Sequence, residues 1–93
     1  MIIGILRLDL HVPDSHSLKD RRSVLKSLKD QLRNRFNIAV AEVDPTEKWQ
    51  RATLGISTLG DHRDHVDGVL DQVTDWLRMS HAIALIRVER DYR

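Results

Sequence analysis

The stretch Ser17–Phe36, SLKDRRSVLKSLKDQLRNRF, is the longest periodic run in the chain. Its apolar residues recur at steps of three, four and seven, a spacing that places side chains on one face of an α-helix. The sequence therefore predicts a first helix of about five turns, with Ser17 as its N-cap and Asn34 or Asn37 at its end. The residues of the apolar face are Leu18, Leu25, Leu28, Leu32 and Phe36.

A second stripe of the same helix is basic. Its residues recur at steps of three and four, about 100° around the helix from the apolar face. They are Lys19, Arg22, Lys26, Lys29 and Arg33, which we call the basic stripe. From residue 18 to residue 35, seven Lys and Arg accompany two Asp, although the formal net charge of the whole chain is only +1. The first helix is therefore strongly basic.

Five further elements surround this helix. Alternation of apolar and polar residues predicts strands before and after it, and a second helical period predicts an acidic helix capped by Asp61. A charged tail, Glu89–Arg93, is expected to fray. The predicted elements are strands at Met1–Val12, Ile38–Val43, Trp49–Leu59 and Ile83–Val88, and the second helix at Asp61–Met79.

The order β-α-β-β-α-β is typical of an α+β, ferredoxin-like sandwich, in which a four-stranded antiparallel sheet carries two helices on one face. Right-handed crossovers place the first and third strands in the middle of that sheet. Residues 1–93 then form a single domain around one core. The helix-free face of the sheet is expected to carry Ile3, Ile5, Arg7, Asp9, His11, Trp49, Arg51 and Thr53.

Composition limits the compartment and the chemistry. The chain has no cysteine, so it has no disulfide, no thiolate metal site and no thiol nucleophile. The apolar run Met1–Leu6 is too short for a membrane span and lacks the basic residues that precede a signal sequence. We therefore expect a cytoplasmic protein with no membrane partner.

The chain resembles the YlxP-like family of small uncharacterised bacterial proteins. The resemblance covers nearly the whole chain and rests on four stretches in the same order, HSLKDRRSVLKSLKDQLRNRFN, AEVD, WQRATLG and HVDGVLD. It implies a ferredoxin-like fold. Members of that family are often encoded beside ribosome-binding factor A and a translation initiation factor. That neighbourhood implies a link to ribosome maturation or translation, although the family has no agreed biochemical activity.

The basic stripe has two interpretations. Phosphates attract Lys and Arg through Coulomb forces and counterion release, so the stripe, with Arg35 and Arg51 as helpers, predicts binding to RNA, with ribosomal RNA or a ribosomal protein as partner. The alternative is a solvated helix face that acids of the second helix partly neutralise, in pairs worth only about 0–1 kcal/mol each. Arg21 is distinct, because it falls within the apolar stripe. We expect it to lie along the core edge or to pair with a carboxylate such as Asp14.

Trp49 and Arg51 are predicted to share one face of the third strand. Such a pair can stack a nucleobase, anchor a dimer contact or simply cover the edge of the sheet. The alternative function is therefore a homo-oligomeric interaction module that binds no nucleic acid. Its interface would be the helix-free face, through Ile3, Ile5 and Trp49.

No catalytic signature stands in the chain. Asp9, His11, Glu42 and Arg51 form only a weak acid–base cluster, without a nucleophile or a glycine-rich phosphate loop. His62 and His65, with neighbouring acids, fall short of the three or four ligands that zinc needs. We therefore predict a non-enzymatic protein with no metal and no cofactor.

Overall fold

The alternation of buried and more exposed residues along the first strand determines which face of the sheet the two helices cover. Leu6, Leu8 and Leu10 are fully buried, whereas their odd-numbered neighbours reach the opposite face of the sheet. Both helices lie over the even-numbered face, where their apolar stripes close one core. The buried apolar residues of the helices are Leu25, Leu28 and Leu32 in the first and Val66, Leu70, Val73 and Leu77 in the second.

The computed structural model describes residues 1–93. The six elements are β1 (Ile2–His11), α1 (Leu18–Arg35), β2 (Ala39–Val43), β3 (Arg51–Gly60), α2 (Arg63–Arg78) and β4 (Ala84–Tyr92). The strands form one antiparallel sheet in the order β2-β3-β1-β4. The predicted ferredoxin-like α+β fold is therefore confirmed, including the central position of the first and third strands.

The helix caps agree with the sequence only in part. Ser17 caps α1 as predicted, because its Oγ accepts a hydrogen bond from the backbone N–H of Asp20 at 3.0 Å. The C-cap of α1 is Phe36, not Asn34 or Asn37, and its N–H still donates to the carbonyl of Leu32. α2 begins after His62 rather than Asp61, and no side chain caps it. Neither helix combines the length and the apolar composition that crossing a membrane requires.

The C-terminal segment is ordered, and the prediction that Glu89–Arg93 frays was wrong. β4 continues to Tyr92, which pairs with Gly4 of β1, and Arg93 exchanges two backbone hydrogen bonds with Ile3. Side chains also fasten this end to α2, because the Tyr92 hydroxyl donates to Asp67. A strand that looks like a charged tail in sequence is thus held by a ladder partner about 90 residues away along the chain.

The third strand begins two residues later than predicted. Trp49 and Gln50 form a turn, and β3 starts at Arg51. The Gln50 amide donates to the carbonyls of Pro13 and Ser15, at 3.1 and 3.3 Å, so it is turned away from the strand path. Trp49 therefore lies in the turn that precedes β3 and not in the strand itself.

Candidate nucleic-acid interface

The basic stripe lies along the solvent side of α1, and three of its cations have no carboxylate partner. Lys19 and Arg22 are exposed and Lys29 is half-buried, and none of the three makes an ion pair. Lys26 does have a partner, Asp30, at 3.0 Å. The hydrogen bond from Lys26 lowers the pKa of Asp30, so this carboxylate is ionised at neutral pH.

Arg33 is partly engaged within the chain. One guanidinium nitrogen lies 3.5 Å from Asp30, and the other donates to the backbone carbonyl of Val40 at 2.9 Å. Val40 belongs to the edge strand β2, so this bond occupies a carbonyl that a foreign strand could otherwise use. The C-terminal end of the basic stripe therefore reaches the β2 edge. Arg35 stacks over the ring of Trp76 at 5.4 Å and does not extend the stripe.

The acids of α2 do not neutralise the basic stripe. Asp67 pairs with Arg63 and Arg90, at 3.7 and 3.5 Å, and accepts the Tyr92 hydroxyl. Asp71 pairs with Arg90 at 2.7 Å. No ion pair joins α1 to α2. Within the basic stripe, the only ion pairs are therefore those of Lys26 and Arg33 with Asp30 of the same helix.

Arg21 fastens the loop between β2 and β3 to the first turns of α1. Its side chain is only 4% exposed, and Nη1 donates to the carbonyls of Thr46, Lys48 and Arg51, at 2.5, 2.9 and 3.2 Å. Its acidic neighbour is Glu42, at 3.6 Å, and not Asp14. Arg21 thus has the structural role expected of it. Most of its contacts are with backbone carbonyls, and no sequence pattern indicates which carbonyls a distant arginine will bind.

This loop, residues 44–50, presents Trp49 to solvent. The Trp49 side chain is 55% exposed. It borders a shallow depression of about 450 Å³ whose other lining residues are polar or charged: Glu47, Lys48, Gln50 and Arg51. Of these, Lys48 was missed by sequence reasoning, because nothing in a short polar loop distinguishes it from a solvated residue.

The helix-free face divides into an apolar end and a charged end. Ile3 and Ile5 lie on it as predicted, half-buried, and Ile5 borders an apolar depression of about 310 Å³. At the charged end Arg7 pairs with Asp44, and Asp9 accepts the Thr53 hydroxyl at 2.9 Å. Ile3 and Ile5 pair with Leu59 and Ser57 near the end of β3, whereas Trp49 precedes its start, so most of the length of β3 separates Trp49 from the two isoleucines.

The weak acid–base cluster is not assembled. Glu42 pairs with Leu54 across β2 and β3 and reaches Arg21 on the helix side, whereas His11 lies opposite Arg51 on the helix-free face. Nor do three His, Asp or Glu side chains meet as a set of metal ligands. The exposed cations of α1 and of the 44–50 loop therefore remain the main chemical feature of the surface.

Comparison with known proteins identifies relatives but no activity. Residues 3–90 match the model of a family described as protein of unknown function, DUF503. The uncharacterised protein YlxP of Bacillus subtilis (strain 168) is 31% identical over 72 residues, which is 77% of this chain and 78% of that protein.

Proposed function

The chain belongs to the DUF503 family of proteins of unknown function, and we propose that it is a non-catalytic RNA- or ribosome-associated protein that binds phosphates through the basic stripe of α1. The observation that carries the proposal is the set of unpaired cations Lys19, Arg22 and Lys29 on one helix face. Ribosomal RNA is the partner that also suits the gene neighbourhood of the YlxP-like family.

The size and chemistry of the stripe suit a phosphate backbone. From Lys19 to Arg33 it runs about 21 Å along the helix, which is long enough to face several successive phosphates. Lys and Arg on a rigid helix read backbone charge rather than base identity, so they provide affinity and position. The acids that remain on this helix are few, and Asp30 is already engaged by Lys26.

Removal of the three unpaired cations is expected to abolish salt-sensitive ribosome binding. The variant combines Lys19→Gln, Arg22→Gln and Lys29→Gln. Wild-type protein should sediment with ribosomes at low salt and be released at high salt, whereas the variant should stay in the supernatant. On a single-stranded RNA of mixed sequence, loss of three phosphate contacts should make the slope of log affinity against log salt shallower by about 2.

Two controls separate the stripe from total charge. The combination Arg78→Gln, Arg87→Gln and Arg93→Gln removes the same charge outside α1 and should bind like wild type. Asp30→Asn should do the opposite of the stripe variant, because it frees Lys26 and removes a negative charge beside Arg33. Binding should tighten, and the salt slope should become steeper by about one. Undiminished binding by a folded stripe variant would refute the proposal.

Self-association through the helix-free face is the second candidate function. It is favoured by the apolar end of that face, where Leu59 is 59% exposed beside its ladder partner Ile3. A homodimer should then be seen by light scattering at micromolar concentrations, and Ile5→Lys should convert it to monomers, because a charge in a dry interface loses its hydration. A monomeric mass for the wild type would exclude this candidate.

A further inference from the structure

The 44–50 loop is held by hydrogen bonds to two other parts of the chain, α1 and the segment before it. Arg21 binds the carbonyls of Lys48 and Arg51, the residues that bracket the Trp49–Gln50 turn. The Gln50 side chain donates to two carbonyls of the segment before α1, and its own carbonyl accepts from the N–H of Val12 at 2.9 Å. The backbone that carries Trp49 is therefore anchored on both sides.

The indole on this anchored backbone is only partly covered by the chain. Trp49 is outside the hydrophobic core and makes no aromatic contact, in contrast to Trp76, which packs against Phe36 at 6.5 Å. Ordering a residue costs conformational entropy, which apolar burial usually offsets. Here the hydrogen bonds of Arg21 and Gln50 order the backbone, and more than half of Trp49 stays exposed, so its ring is open to an external group.

The surroundings of the indole favour a nucleotide over an apolar protein partner. Trp49 is the one hydrophobic residue that lines its depression. Lys48 and Arg51 lie beside it, and neither forms an ion pair. The nearby Asp44 is already paired with Arg7, so Glu47 is the one acid that lines the depression. An aromatic face next to free cations can stack a base while the cations meet its phosphates.

The loop also stands at one end of the basic stripe. Arg21, which holds the loop, is followed in the chain by Arg22 of the stripe, and both belong to the first turns of α1. A nucleic-acid strand that follows the basic stripe toward the start of α1 therefore comes close to Trp49. Along a strand, only an unpaired base can turn its face to an indole, because each internal base of a duplex is covered on both sides by its stacked neighbours.

We propose that Trp49 stacks an unpaired base of the RNA whose backbone lies on the basic stripe, so that the ligand of this protein is single-stranded rather than double-helical RNA. This inference rests on the proposed function and names its substrate class. Lys48 and Arg51 contact the phosphates that flank the stacked base.

Trp49 fluorescence tests the proposal directly. In Trp76→Phe, Trp49 is the sole indole, and titration with an unlabelled mixed-sequence single-stranded RNA should quench its emission at the midpoint seen by anisotropy with a labelled strand. The same RNA as a duplex should not quench it. In the otherwise native chain, Trp49→Ala should weaken single-strand binding about 10-fold, and Trp49→Phe should retain most of the affinity.

The outcomes separate the two proposals. Single-strand binding with unchanged Trp49 emission and an unaffected Trp49→Ala variant overturns the stacking and leaves the basic stripe intact. Equal quenching by duplex overturns the choice of single strands. If Trp49→Ala binds RNA normally but no longer sediments with ribosomes, Trp49 contacts a protein and the stacking is refuted. A wild-type chain that binds no RNA overturns the proposed function as well.

Discussion

Arg21→Met is expected to lower the free energy of unfolding by about 3–5 kcal/mol, the range for removal of one member of a buried ion pair. The change leaves three carbonyls of the 44–50 loop region without their donor and leaves Glu42, only 23% exposed, beside an apolar side chain. Urea denaturation measures the loss, and for a domain of this size each kcal/mol lowers the melting temperature by about 4–8 °C.

Two variants separate the buried contacts from charge and from helix propensity. Arg22→Met changes the adjacent, exposed arginine and should stay within about 0.5 kcal/mol of wild type. Arg21→Met combined with Glu42→Gln should recover part of the loss, since no carboxylate is then left unpaired. Hydrogen exchange should also speed up in the 44–50 loop of Arg21→Met. A loss below about 1 kcal/mol would show that Arg21 does not hold this loop.

Gly4→Ala is expected to destabilise the protein by about 1–3 kcal/mol, the usual cost of overpacking a core. A Cβ at Gly4 would lie 2.5 Å from Cγ1 of Val66 and 2.8 Å from Cδ1 of Leu70. Both side chains are fully buried, so neither can move aside without displacing its neighbours. Gly4 thus sets how closely α2 approaches β1, and thermal or urea unfolding measures the effect.

Gly68→Ala is the matched control for this change. Gly68 lies within α2, and a Cβ there would meet no atom within 4 Å. The same added methyl group should therefore stabilise the protein by about 1 kcal/mol through helix propensity. Opposite signs for the two substitutions support close packing at Gly4, and a stabilising Gly4→Ala would contradict it.

The periodic features of the fold were predictable because they depend on local spacing. Steps of three and four in Ser17–Phe36 placed Leu25, Leu28 and Leu32 on the buried face of α1. Alternation placed Leu6, Leu8 and Leu10 on the core face of β1. The basic stripe follows from the same helical period, so residue spacing alone was enough to locate the candidate site on α1.

Features that depend on distant contacts were not predictable. Gln50 leaves the strand path because it meets Pro13 and Ser15, and β4 runs to Tyr92 because β1 offers it a ladder. Such partners lie tens of residues apart in the chain, and residue types alone do not indicate which distant residues will be in contact. The predictions of where β3 starts and of a frayed C-terminal tail were wrong for this reason.

The sequence by itself thus determined the order of the elements, the core faces of β1 and α1, and the presence of a basic stripe. Tertiary structure decided the contacts between elements. It bonds Arg33 to the Val40 carbonyl of β2, pairs Asp67 and Asp71 of α2 with Arg90 of β4, and buries Arg21 under the loop that exposes Trp49. Periodicity fixes the direction of a side chain from its own helix, whereas its partner is set by how the layers pack.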